Sequence, residues 1–238
     1  MIDSLRSSPL LPIFLIVAVD ILGYTIILPL LPFYAEHMGA TPGVVGMLVG
    51  VYAVCQLFAG PLLGRMSDTF GRKPLLTVSQ IGTLIGFLVL AFSNQLWMVF
   101  LSRIIDGATA GNLSLAQAYI SDVTAPEKRA KSFGVIGIAF GLGFLLGPAI
   151  SGFLSQFGYH YPIFAAASLS ALSILATTFL LPANPPRRDG SHGDTGPGGQ
   201  RLSVLQWGRY VEYFRRPSLA PLLAKFFAYV FSFAIFTG

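Results

Sequence analysis

Seven stretches of this chain stay apolar for about the length a helix needs to cross a bilayer, and no other feature constrains its fold as strongly. The hydrocarbon core is about 30 Å thick, which a helix rising about 1.5 Å per residue crosses in about 20 residues. The runs occupy residues 10–34, 44–63, 74–92, 96–120, 132–154, 162–181 and 219–238. Lipid offers a backbone no hydrogen-bond partners, so runs of this length are read as helices. The fold class is all-α integral membrane, with six spans forming an N-terminal bundle and a seventh transmembrane helix after them. Composition closes the alternatives. Charged residues make up 11% of the 238 and hydrophobic ones 54%, against about 25% charged in a soluble domain. An ordinary cytosolic enzyme, a disordered chain and a nucleic-acid binder are excluded. The single cysteine, Cys55, rules out an intramolecular disulfide.

The first run resembles a signal peptide in having Arg6 ahead of an apolar stretch. Asp20 interrupts it, however, no small-x-small cleavage site ends it, and apolar character resumes to Tyr34. It reads as a retained helix. Charge then orients the spans. With a cytoplasmic N-terminus, the inner segments carry Arg6, then Arg65, Arg72 and Lys73, then Lys128, Arg129 and Lys131. The segment after the sixth span adds Arg187, Arg188, Arg201, Arg209, Arg215 and Arg216, so 13 of the 15 basic residues fall inside. The other two, Arg103 and Lys225, lie within spans, and the outer loops hold none. This is the positive-inside bias.

The expected organisation is therefore a six-span bundle over 1–181, a cytoplasmic linker over 182–217, and the first span of a further bundle over 218–238. The first half of the linker, with Asn184-Pro-Pro-Arg-Arg-Asp-Gly, is hydrophilic and flexible in composition. Its second half sets Leu202, Leu205, Tyr210, Val211 and Phe214 among Arg201, Arg209, Arg215 and Arg216. That pattern suits a basic amphipathic helix on the inner membrane surface or an unstructured basic loop, and both readings stay open. The whole reads as one half of a larger transporter plus the start of its second half, which is the expected missing partner.

Between the second and third runs stands Gly64-Arg-Met-Ser-Asp68-Thr-Phe-Gly71-Arg72-Lys73-Pro74. Two glycines permit close or left-handed backbone, Asp68 can accept charge-assisted hydrogen bonds, and Pro74 suits the first position of the next helix. The expectation is a tight cytoplasmic turn. The bland account is a charged loop obeying the inside bias. The spacing instead resembles G-x-x-x-D-x-x-G-R-K/R, the signature loop of the major facilitator superfamily. That resemblance implies a conformational latch made by Gly64, Asp68, Gly71, Arg72 and Lys73.

Two more segments narrow the likeness. Arg103-Ile-Ile-Asp106-Gly107 resembles the superfamily's R-x-x-x-G motif, whose arginine is implicated in proton coupling. Gly134, Gly143, Gly147, Pro148 and Gly152 are spaced like the antiporter motif G-x8-G-x3-G-P-x2-G-G, with Ser151 replacing one glycine. Serine is small enough to keep close packing. The run Ala118-Tyr-Ile-Ser-Asp122-Val-Thr124 with Arg129, and the first span with Asp20, Gly23, Pro29 and Pro32, are similar to the tetracycline/proton antiporter branch. The resemblance covers essentially the whole chain as the N-terminal half of a twelve-span drug/proton antiporter. It implies a multi-pass protein of a bacterial inner membrane that takes protons and a small-molecule substrate and needs no cofactor. Two other matches are set aside. Gly141-x-Gly143 has no strand before it and is no dinucleotide turn. Gly107-x-x-x-Gly111 reads as packing within the bundle.

A charge at mid-bilayer costs about 2.5–3.5 kcal/mol on insertion scales, so each needs a reason. Asp20 and Asp106 each lie about 15 Å into their spans at 1.5 Å per residue. At 100° per residue Arg103, Asp106, Ala110, Ser114 and Gln117 form one polar stripe facing a central cavity, with Gln56 in the second span a further candidate. Asp20 reads as the proton-exchanging carboxylate, a role that the resemblance to the antiporters supports. Asp106 reads as the i,i+3 partner that neutralises Arg103. Tyr24 and Phe33 offer aromatic faces for a drug or for packing, Glu36 and His37 read as solvated, and Lys225 reads as snorkelling.

The leading function is proton-coupled export of a lipophilic or amphipathic small molecule by alternating access. A symporter or uniporter of the same superfamily is the first alternative, and a half-protein that inserts without transporting is another. A seven-span retinal protein conflicts with the inside N-terminus and the shallow Lys225. No enzyme is expected: His37, His160 and His192 lack metal-ligand spacing, and no nucleophile–base pair or phosphate loop is present.

Overall fold

The computed structural model describes residues 10–181 and 219–237. The linker with its amphipathic stretch and six arginines, and Arg6, lie outside the described residues. Among the described residues all regular structure is helical. In chain order the helices are α1 Leu10–His37, α2 Pro42–Phe70, α3 Arg72–Ala91, α4 Leu96–Ala108, α5 Asn112–Val123, α6 Pro126–Ser155, α7 His160–Leu180 and α8 Ala220–Thr237. They fall into two units, α1 to α7 in one and α8 in the other. In the first unit α1, α2, α3, α6 and α7 are each long and apolar enough to cross a membrane.

Proline placement sets several starts. Pro42 and Pro126 sit in the first turns of α2 and α6, where a missing N–H costs nothing. That carries α6 six residues beyond the apolar run that begins at 132. Pro74 corrects the expectation: α3 begins at Arg72, which puts Pro74 at its third residue. The expected turn over 64–74 is corrected too. Residues 64–70 are the last two turns of α2, and the reversal falls on Gly71 alone, whose φ of +97° suits a residue without Cβ.

The fourth apolar run, expected as one span over 96–120, is two helices. At 13 and 12 residues, α4 and α5 are each too short to cross a core of about 30 Å. The break falls at Thr109-Ala110-Gly111. The Gly111 N–H donates to Ser79 Oγ of α3 at 2.9 Å, and Ser79 Oγ donates to the Thr109 carbonyl. Thr109 Oγ1 turns back to the Ile105 carbonyl at 2.8 Å. A broken helix at membrane depth is tolerated when buried protein groups satisfy the freed backbone, and Ser79 is fully buried.

In this unit α1 packs against α6 and α7, α3 against α4 and α7, and α2 against α4. Two apolar cores result. One joins Ile13, Ile16 and Val17 of α1 to Leu75, Leu115, Tyr119 and Ile136. The other joins Ile26, Leu30 and Tyr34 of α1 to Phe87, Leu90, Val99 and Ile163. Between them, along the same helices, lie the buried polar groups Ser79, Gln80, Ser102, Arg103, Asp106, Ser170 and Ser173. Mid-span polarity is thus gathered into one interior layer. The outer face of α2 exposes Met47, Val54, Leu57 and Phe58, a surface that suits hydrocarbon and not water.

Candidate functional site

The polar layer borders a cavity of about 390 Å³. Asp20, Ile21 and Tyr24 of α1 form one wall, Tyr52 and Gln56 of α2 another, and Thr83 and Phe87 of α3 close the back. Asp106, Ala110, Asn112, Ser114 and Gln117 line it across the break between α4 and α5. The expected polar stripe therefore faces one space, although the helix carrying it is interrupted. Arg103 is the exception, since it is buried behind the lining at 3% exposure.

The two carboxylates stand in different electrostatic settings. Asp106 is 3% exposed, and Arg103 Nη1 lies 3.5 Å from its Oδ2. That contact follows from the three-residue spacing on α4, which stacks the two side chains on one face. The buried pair is neutral overall, and one guanidinium nitrogen, Nη2, finds no hydrogen-bond partner among the described residues. Asp20, half-buried, forms no ion pair with any described Lys or Arg. Its polar neighbours are the hydroxyl of Ser173 and the amide of Gln80, whose Nε2 lies 3.4 Å from Oδ2. A carboxyl with no fixed countercharge can lose or gain a proton without breaking an ion pair. Asp106 cannot do so without stranding Arg103.

Gln56 and Gln117 are exposed on the lining, and Gln56 Nε2 donates to Tyr52 Oη at 3.3 Å. Tyr52 stacks with Tyr24, ring centroids 6.0 Å apart at 30°. The two tyrosines make a polar-edged aromatic wall of the cavity that Gln117 also lines. Tyr52, Thr83 and Asn112 were not singled out from sequence, nor was Gln80, which a glutamine inside an apolar span would have flagged. Phe33 is exposed and Glu36 and His37 lie at the exposed end of α1, all away from the lining.

Of the residues expected to form a latch, Gly64, Asp68 and Arg72 meet at one end of the unit. Arg72 places Nη2 2.7 Å from Asp68 Oδ1, and its Nε donates to Asp122 Oδ2 of α5 at 2.9 Å. It also donates to Ser67 Oγ and to the Gly64 carbonyl. One guanidinium thereby joins the ends of α2, α3 and α5, using the planar fork that lysine lacks. Lys73 Nζ donates to the carbonyls of Thr178 and Leu181, both at 2.7 Å, where a cation suits the free carbonyls of a helix end. Arg129 Nη2 donates to the Ser121 carbonyl at 3.0 Å and so closes the end of α5. Asp122 was noted in sequence only as part of a resemblance, because fifty residues separate it from Arg72.

The glycine-proline helix α6 divides its motif. A Cβ at Gly143 would lie 2.6 Å from Ile21 Cγ2, and one at Gly147 would strike Thr25. Thr25 Oγ1 donates to the Gly143 carbonyl at 2.9 Å, so α1 and α6 touch backbone to side chain. Gly134 and Gly152 have nothing within 4 Å, and Pro148 is exposed. Gly107 and Gly111 pack within the bundle: a Cβ at Gly107 would lie 2.8 Å from the Tyr52 carbonyl oxygen, and one at Gly111 2.8 Å from Leu63.

Comparison with known proteins gives a consistent set of matches. The family model described as Major Facilitator Superfamily matches residues 13–238. Tetracycline resistance protein, class B, of Escherichia coli is 37% identical over 192 residues, which are 79% of this chain and 48% of that protein. The class H protein of Pasteurella multocida is 37% identical over 221 residues, 90% of this chain and 53% of that one. Quinolone resistance protein NorA of Staphylococcus aureus is 27% identical, covering 86% of this chain and 52% of its own length. The chain spans about half the length of the curated relatives it matches. Among solved structures, the human organic anion transporter MFSD10 superposes with a TM-score of 0.66 at 30% identity, over 73% of this chain and 47% of that chain.

Proposed function

The chain belongs to the major facilitator superfamily, and on that premise we propose that it is the N-terminal half of a bacterial drug/proton antiporter. The observation that carries the reading is a carboxylate with no ion-pair partner among the described residues, Asp20, on the wall of a polar, aromatic-edged cavity. Tetracycline and multidrug resistance proteins among the relatives support an amphipathic aromatic substrate. In this reading a proton on Asp20 and the substrate compete for the cavity, and each shifts the population of inward- and outward-facing states by its differential affinity. Arg103, behind the lining, neutralises Asp106 on the cavity wall. The Arg72 cluster is the latch that holds the bundle's inner end in one state. Residues 1–181 form the first bundle, 182–217 the cytoplasmic linker, and 218–238 open the second bundle, which supplies the rest of the cavity. The N-terminus is cytoplasmic, and the membrane is the bacterial inner membrane.

The test uses the full natural protein in everted membrane vesicles. Addition of tetracycline to energised vesicles is expected to release protons, and Asp20→Asn to abolish that release. Unchanged release in Asp20→Asn overturns the role of Asp20. Absence of release with tetracycline and with a quinolone in the native protein overturns drug/proton exchange.

A further inference from the structure

Gln80 is fully buried on α3 between α1 and α7, in the layer that separates the two apolar cores. Its Nε2 donates to Ser173 Oγ at 2.7 Å and reaches Asp20 Oδ2 at 3.4 Å. Its backbone carbonyl accepts from Ser170 Oγ at 3.4 Å, which ties α3 to α7 here. The side-chain carbonyl, Oε1, is buried and has no hydrogen-bond partner among the described residues. Simple packing does not account for a glutamine at this place. An apolar residue of like volume would fill the space without a stranded acceptor.

An amide carries two donors on one arm and an acceptor on the other. An ionised carboxylate can only accept, so it is matched by the NH₂ arm, which is the contact present. A protonated carboxyl has an O–H to donate; the Ser173 hydroxyl beside Asp20 is already engaged with the Gln80 amide, whereas the Gln80 carbonyl is a buried acceptor with no partner among the described residues. Rotation of the terminal amide exchanges the two arms at little steric cost, because they are nearly the same shape. Ser173 tolerates the exchange, since a hydroxyl can accept from the NH₂ arm or donate to the carbonyl arm. No charge moves and no ion pair breaks in this rearrangement.

We infer that Gln80 is the positioning residue for the proton on Asp20, its amide nitrogen serving the ionised carboxylate and its otherwise orphaned carbonyl serving the protonated carboxyl. The inference rests on the reading that Asp20 exchanges the coupled proton. It adds a residue on a different helix, so protonation of α1 is felt by α3 and, through Ser173, by α7.

Infrared difference spectroscopy of the full natural protein between acid and alkaline pH tests it. The carboxyl C=O band of Asp20 is identified as the one lost in Asp20→Asn. In Gln80→Met, which keeps volume and removes both amide arms, that band is expected to move and broaden because the O–H loses its acceptor. In native protein grown on ¹³C-glutamine, one side-chain amide band is expected to shift with the same pH dependence as the Asp20 band. The labelled native measurement needs no variant to fold. An Asp20 band unchanged in position and width in folded Gln80→Met overturns the role of Gln80 alone. A set of amide bands insensitive to pH across the carboxyl transition overturns it as well. Absence of any carboxyl band lost in Asp20→Asn overturns the reading of Asp20 and with it this inference.

Discussion

Replacing Ser79 by alanine tests the account of the broken helix most directly. Ser79 is the side chain from outside the break that meets both freed backbone groups, the Gly111 N–H at 2.9 Å and the Thr109 carbonyl. Deleting the hydroxyl removes this partner from the buried Gly111 N–H and from the part-buried Thr109 carbonyl. The Gly111 N–H retains a bent contact to the Thr109 carbonyl at 2.8 Å, so the loss is not that of two isolated groups. An unsatisfied buried backbone group costs about 1–3 kcal/mol, and that range is the expected penalty for local closure of the break. It corresponds to about a 5- to 150-fold increase in the population of the opened segment. Hydrogen exchange followed by mass spectrometry on the peptide covering 105–115 reads that population directly, since exchange of these amides requires opening. Ser168→Ala is the control, because Ser168 is exposed and donates only to Phe164 of its own helix at 2.8 Å. If Ser79→Ala exchanges in this peptide within about twofold of the native protein and of the control, a change worth less than about 0.5 kcal/mol, then Ser79 does not hold the break.

Three further outcomes follow from the packing and the latch. Gly147→Ala pushes a methyl onto Thr25, 2.8 Å from its backbone carbonyl carbon. Overpacking of that kind costs about 1–3 kcal/mol against about 1 gained from helix propensity, so thermal unfolding in detergent is expected earlier than in Gly134→Ala, which has nothing within 4 Å. Equal midpoints for the two variants would refute the α1–α6 seam. Asp122→Asn is expected to lower the midpoint more than Asp68→Asn, because the Asp122 side chain is 16% exposed and that of Asp68 56%. The more exposed pair is screened by solvent and is worth little to stability; the reverse order would argue that Asp68 carries the cluster. Arg72→Lys is expected to lose most of the Asp122 contribution, measured by a double-mutant cycle, since an ammonium lacks the fork that reaches both carboxylates.

The amino-acid sequence alone determined the class of the molecule. Runs of about 20 apolar residues can do little else than cross a membrane as helices. Asp106, Ala110, Ser114 and Gln117 can be read along the chain as one polar stripe because a helix repeats every 3.6 residues, and all four line the cavity beside Asp20 and Gln56 of other helices. Gly71, one of two glycines read as permitting a turn, is where the chain reverses, but α2 continues past the apolar run to Phe70.

Only the tertiary structure decided what depends on residues distant in sequence. The fourth apolar run breaks at Thr109–Gly111 because Ser79, thirty residues earlier, satisfies the freed backbone, and no local pattern encodes that partner. Gly143 and Gly147 meet α1 while Gly134 and Gly152 meet nothing within the unit, a division invisible in a motif of equal letters. Asp122 meets Arg72, and Gln80 meets Asp20, by contacts across helices. Periodicity reports which face of a helix is polar; which neighbour that face meets is settled when the helices pack and each buried polar group must find its partner.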